Sequence, residues 1–265
     1  MNISMTDNTE LHNGHQEYAI SLYLALMKKC LTDLIYAQKH EQFNLQGQPY
    51  NEDRRINGME WPLCAHTMIG MKRLDNIQFC VNDVIQKKIP GDLIETGVWR
   101  GGAAIFMRAI LKAHNISDRS VWVADSFEGL PMPNADEYPL DAGDKHHKFS
   151  ELAISVEQVQ LNFEKYGLLD QQVKFLQGWF RDTLPKAPIE KLAVLRLDGD
   201  MYESTMDALN ALYPKLSIGG YLIIDDYGAV PGCKKAIHDY REKHQILDGI
   251  ITIDWTGAFW KKTSQ

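Results

Sequence analysis

Cysteine is scarce and scattered in this chain: Cys30, Cys64, Cys80 and Cys233 form no C-x-x-C pair. That argues against a disulfide framework or a cysteine zinc site and for thiols kept in a reducing cytoplasm. No apolar run approaches the roughly 18 residues a membrane span needs, and residues 1–18 are polar with no signal-type apolar core. Clustered basic residues are missing too. The 28 Lys and Arg face 35 Asp and Glu, a formal net charge of -7, whereas nucleic-acid binding depends on grouped Lys and Arg. Neither nucleic acid nor a membrane is therefore an expected partner. The chain also lacks a G-x-G-x-x-G motif, an internal repeat and a low-complexity tract.

What is present suits a globular chain. At 265 residues, 45% hydrophobic and 24% charged, it fits one large α/β domain with a helical extension. Residues 1–16, rich in Asn, Thr, Asp and His, read as a disordered leader. Over 17–38 the residues Ile20, Leu24, Met27, Leu31, Leu34 and Ile35 recur at helical spacing. Residues 40–61 are polar and irregular, and a loop of that length is usually functional or disordered. Helical spacing resumes over 65–84, so residues 17–88 read as N-terminal helices plus a loop, and 89–265 as the main domain. There, short apolar runs alternate with helical patterns: DLIET (92–96), VWVAD (121–125), VKFLQ (173–177), LAVLRLD (192–198) and YLIIDD (221–226). Helices are expected near 103–113, 153–166, 204–216 and 234–244. This alternation predicts a parallel sheet covered on both faces. ITIDW (251–255) and AFWKK (258–262), joined at Gly257, predict an antiparallel closing pair.

Ligands of open α/β sheets sit beyond the carboxyl ends of the strands. The first strand ends in Glu95-Thr96-Gly97-Val98-Trp99-Arg100-Gly101-Gly102, where glycines permit a tight turn and close approach to a ligand. A dinucleotide pyrophosphate calls for bare helix N–H groups; an acidic Glu95 instead suits a cationic group such as an amino-acid ammonium. The second strand ends in Asp125-Ser126, and a carboxylate there commonly holds ribose hydroxyls. Ribose plus an ammonium-bearing tail describes S-adenosylmethionine better than NAD, although strand-end and cap acids would look the same. Beyond the third strand, Gly178, Trp179 and Phe180 suit either adenine stacking or core packing.

Asp198-Gly199-Asp200 closes one strand and Asp225-Asp226 the next, on the same rim. Three converging carboxylates repel one another and demand a cation, and Arg196 is the one basic residue near them in sequence. Mg²⁺, or another divalent cation, prefers carboxylates plus water and substrate oxygens. A hydroxyl bound there loses its proton more easily. Asp198 is the expected general base, with Asp198, Asp225 and Asp226 as metal ligands and a vicinal diol as the best chelating acceptor. Asp-Gly and Asp-Asp also serve as plain turn and cap residues.

DLIETGVWRGGAAIFMRAIL, VWVADSFEGLP and LRLDGDMYESTMDALNALYPKLSIGGYLIIDDY closely resemble the macrocin O-methyltransferase family. AHTMIGMKRLDN (65–76), after Trp61-Pro62, fits as well, and the similarity spans about residues 22–262. The resemblance implies a Rossmann-like class I fold, with a seven-stranded, mostly parallel sheet and an antiparallel C-terminal strand. It also implies S-adenosylmethionine, Mg²⁺, transfer to a deoxysugar hydroxyl on a natural product, and a homo-oligomer in which residues 40–61 act as a lid. Thr67 and Met68 join the cofactor-side candidates; Trp61, Trp99 and Tyr227 are candidates for the acceptor side. The segment 132–150, with His146-His147, matches no family block, and such loop histidines either meet a ligand or are solvated. The alternatives are a phenol or catechol O-methyltransferase, which would share metal and cofactor, a binding protein without turnover, and a dehydrogenase.

Overall fold

The computed structural model describes residues 5–37 and 42–264. Seven strands form one sheet in the order β3-β2-β1-β4-β5-β7-β6. They are β1 (Asp92–Thr96), β2 (Val121–Asp125), β3 (Val173–Gln177), β4 (Leu192–Leu197), β5 (Leu216–Ile224), β6 (Ile251–Thr252) and β7 (Ala258–Lys261). β1 to β5 pair in parallel, and β7 runs antiparallel to both β5 and β6. The strand order reverses between β1 and β4, which opens a crevice at their carboxyl ends.

Period-two alternation divides the core into two layers. Leu93, Val121 and Val123 face one layer, while Ile94, Trp122 and Ala124 face the other. The first layer is covered by α1 (Met5–Leu31), α3 (Gly70–Gln86), α4 (Gly102–Ala113) and α5 (Val156–Lys165). The second is covered by α7 (Tyr202–Leu212) and α8 (Pro231–Lys243). Among the described residues there are also two single-turn helices, α2 (Glu52–Ile56) and α6 (Phe180–Thr183). Among the described residues no helix is long and apolar enough to cross a membrane.

Three boundaries differ from the sequence-based expectation. α1 begins at Met5, so residues 5–16 are helical rather than a disordered leader; residues 1–4 lie outside the described part. Periodicity reads packing, and this polar run has no apolar stripe to reveal it. The buried stripe is Leu24, Met27 and Leu31, which seats α1 on α4. β5 starts five residues before Tyr221, where Ser217 and two glycines interrupt the apolar run. β6 stops at Thr252 because Asp254 turns the chain, its Oδ1 accepting from the N–H groups of Thr256 and Gly257 at 3.0 and 2.7 Å.

The loop expected over 40–61 begins in part outside the described residues, but from 42 onward it is folded. Phe43 and Pro49 form an antiparallel bridge, and Asn51 caps α2 by accepting from Arg54 N–H at 2.9 Å. Arg55 and Glu60 form a fully buried ion pair. Arg55 also donates to the Thr32 carbonyl at 3.1 Å, which ties this segment to the end of α1.

Candidate active site

A cavity of about 460 Å³ opens at the carboxyl ends of β1, β2, β4 and β5, closed on one side by residues 58–61. Its floor is a network of carboxylates around one guanidinium. Arg196, on β4, has no solvent exposure. Its Nη1 donates to Glu95 at 2.6 Å and to Asp198 at 2.7 Å, and its Nη2 pairs with Asp225 Oδ1. One carboxylate oxygen from each of Asp198, Asp225 and Asp226 lies within 4.8 Å of the others. The two strand ends therefore converge as expected.

Arg196 is not the only cation there, which corrects the expectation. Arg73, buried in the first turn of α3, pairs with Asp225 Oδ2, donates from Nε to Asp254 at 3.1 Å, and donates from Nη2 to the Gly58 carbonyl at 2.9 Å. Its place in AHTMIGMKRLDN carried no charge signal, because its charged partners lie more than 150 residues away. Glu95, Asp198, Asp225 and Asp226 still outnumber Arg73 and Arg196 by two charges, before Asp200 and Asp254 are counted. The titration behaviour reflects that excess. Burial and the Asp225 charge push Asp198 up to about 7. Burial pushes Asp200 up to about 6, and burial with Asp200, Asp198 and Asp225 lifts Asp226 well above the usual carboxylate range. Asp200 also holds a left-handed backbone, φ 58°, a strained conformation of the kind that collects at functional sites.

The cofactor-side candidates adjoin this network at the ends of β1 and β2. Glu95 is buried, and burial raises it to about 8 against the pull of Arg196. Its Oε2 has no partner among the described residues. Gly97 turns the chain with φ 85°, and a Cβ there would lie 1.7 Å from the Asp198 carbonyl oxygen; only glycine fits that crossing. Asp125 accepts from the N–H groups of Val98 and Phe127 at 2.7 and 2.8 Å, so it also shapes the turn after β1. Ser126, Trp179, Thr67 and Met68 line the cavity with Glu95, Gly97 and Asp125.

Thr96, Gly101 and Gly178 do not line it and act through the backbone. The Thr96 carbonyl accepts from Asp198 N–H at 2.9 Å, Gly101 packs against Val159, and Gly178 N–H donates to the Asp125 carbonyl at 2.9 Å. Of the acceptor-side candidates, Trp61 and Trp99 line the cavity. Tyr227 does not; its hydroxyl pairs with His238 Nε2 at 2.9 Å. Trp179 and Phe180, which suited stacking or core packing equally, both reach the cavity wall.

This strand order, with a glycine turn after β1 and acids at the ends of β1 and β2, defines a class I methyltransferase. The model of the Macrocin-O-methyltransferase (TylF) family matches residues 18–262, and the chain belongs to that family. It is 56% identical over 250 residues to the 8-demethyl-8-(2,3-dimethoxy-alpha-L-rhamnosyl)-tetracenomycin-C 4'-O-methyltransferase of Streptomyces olivaceus, covering 94% of this chain and 95% of that one. It is 55% identical to the demethyldecarbamoylnovobiocin O-methyltransferase of Streptomyces niveus, covering 92% and 94%. The structure of the O-methyltransferase NovP superposes with a TM-score of 0.88 at 54% identity, over 92% of this chain and 100% of that one. The protein is an O-methyltransferase.

Proposed function

We propose that this enzyme methylates a sugar hydroxyl of a glycosylated natural product, using S-adenosylmethionine and a divalent cation, Mg²⁺ by preference. The carboxylate excess at Asp198, Asp225 and Asp226 carries the metal reading: their oxygens lie close enough for one ion to touch all three, and two guanidinium groups leave their charge unbalanced. All-oxygen donors suit a hard cation. The unpartnered Glu95 Oε2, the Gly97 turn and Asp125 fit a ligand with an ammonium and a ribose. The rhamnosyl group in the name of the Streptomyces olivaceus relative supports a sugar acceptor.

S-adenosylmethionine held at Glu95, Gly97 and Asp125 would supply an electrophilic methyl group, and a cation held by Asp198, Asp225 and Asp226 would lower the pKa of an acceptor hydroxyl. Asp198 takes the hydroxyl proton. Arg196 fixes the Asp198 carboxylate by one oxygen and leaves the other for that task. Asp225 and Asp226 serve as ligands. Trp61, Trp99 and the wall at Trp179 and Phe180 exclude water and orient the acceptor for in-line attack. Residues 42–61 form the lid, hinged where Gly58 crosses the start of α3. No general acid is required, because the departing S-adenosylhomocysteine is a neutral thioether.

A homo-oligomer is part of this proposal. α1 carries a second apolar row, Tyr18, Leu22 and Leu26, each more than half exposed, opposite the row that seats it on α4. The free thiols of Cys30, Cys80 and Cys233 fit a reducing compartment, and we assign the enzyme to the cytoplasm. Methyl transfer from labelled S-adenosylmethionine to a panel of deoxysugar glycosides, with a catechol alongside, tests the reading. Turnover of a glycoside supports it, and turnover of the catechol alone replaces the sugar with a phenol.

A further inference from the structure

The connection from β2 to α5 brings a titratable pair to the cavity that the account so far leaves unused. Of the adjacent histidines, His146 lines the cavity and His147 does not. One carboxylate grips His146 twice: Asp144 Oδ1 accepts its backbone N–H at 2.8 Å, and Oδ2 meets ring Nδ1 at 2.7 Å. A carboxylate that caps the turn and holds Nδ1 fixes both the rotation of the ring and the site of its proton. Nε2, at the far corner of the ring, has no hydrogen-bond partner among the described residues. The imidazole is 31% exposed, half sunk in the wall.

Its surroundings are those of an acceptor subsite. Phe149 stands edge-on to His146 with ring centres 6.2 Å apart, and Trp61 of the lid stands edge-on to Phe149 at 5.2 Å. Three rings thus run from the lid toward the carboxylate rim. Burial favours the neutral imidazole, while the Asp200 and Asp144 charges pull the other way and raise its pKa. Sugars present an apolar ring face and several oxygens in fixed disposition. Trp61 and His146, which both line the cavity, match that pattern with aromatic surface and one polar ring nitrogen.

We propose that His146 is an acceptor-binding residue: its Nε2 hydrogen-bonds a sugar hydroxyl other than the one methylated, and Asp144 is its positioning residue. This rests on the sugar reading above. A site built to bond a substrate hydroxyl discriminates strongly against the analogue that lacks it, so His146 sets which sugar is accepted and in which orientation.

The test uses the full-length enzyme with Mg²⁺ and an aryl 6-deoxyhexoside, compared with analogues each missing one ring hydroxyl. His146→Ala is expected to lower kcat/KM for the full glycoside about 10- to 100-fold, the range of a charge-assisted hydrogen bond. The wild-type preference for the full glycoside over one particular deoxy analogue should collapse in that variant. His146→Gln, which keeps a donor near Nε2, should recover part of the loss, and Asp144→Asn should fall between. The dissociation constant of S-adenosylmethionine and the thermal midpoint should stay near wild type. An equal loss on every analogue, or none, overturns the assignment. If the wild type methylates no glycoside and only a catechol, the sugar reading fails first and takes this inference with it; if it methylates glycosides and His146→Ala does so equally, the inference alone fails.

Discussion

Arg196 is the residue on which the site turns. It is a buried cation in contact with Glu95, Asp198 and Asp225, and removing one partner of such a network leaves buried charge uncompensated. Arg196→Met is expected to cost about 3–5 kcal/mol of stability, or to prevent folding, by urea denaturation. Asp198→Asn keeps the shape and removes the base, so methyl transfer should fall to background while the cofactor dissociation constant changes little. Asp125→Ala should do the reverse, weakening cofactor binding first; calorimetry separates the two. The raised carboxylates also set a pH dependence. Glu95, Asp198 and Asp200 titrate near 8, 7 and 6 when folded, against about 4 when unfolded. Between about pH 4 and 8 the native state therefore holds protons that the unfolded chain has released, and the metal-free protein loses stability as pH rises. Mg²⁺ offsets that loss, so its effect on the thermal midpoint should be larger at pH 8 than at pH 5.5. An equal shift at both would contradict the carboxylate site. The acids were legible in the sequence because each ends an apolar run. Arg73 and Asp254 were not, because a charge on a helix or in a turn does not announce a partner far along the chain.

At the scale of elements, β1 to β4 could be read almost to the residue, since buried parallel strands are short apolar runs with little else to mimic them. The lid could not. Its order comes from contacts made after folding: Arg55 with Glu60 and Thr32, Arg73 with the Gly58 carbonyl, and Trp255 Nε1 donating to the Asn57 carbonyl at 3.0 Å. Two glycines allow the crossing. A Cβ on Gly58 would lie 2.4 Å from Arg73 Nη2, one on Gly70 would lie 2.4 Å from Gly58 N, and both have positive φ. Gly58→Ala is accordingly expected to free residues 42–61 while the sheet stays folded. Amide exchange in that segment should quicken and KM for the acceptor should rise, with cofactor affinity nearly kept. Exchange at the wild-type rate would mean that Arg73 does not hold the lid.

Across the whole molecule, the helical extension and the domain are continuous in packing, and the rim of the sheet gathers residues from 46 to 256 into one cavity. The exposed row Tyr18, Leu22 and Leu26 predicts association through α1. Light scattering should find a dimer or larger species, and Leu22→Glu combined with Leu26→Glu should yield monomers. A wild-type monomer at micromolar concentration would remove that part of the account. The central claim concerns the aspartates, and it has a direct measurement. Methyl transfer from labelled S-adenosylmethionine to a glycoside acceptor is followed with Mg²⁺, after EDTA, and after Mg²⁺ is restored. The account predicts activity, then its loss, then its return, with no return in Asp225→Asn. Undiminished turnover in EDTA would contradict it.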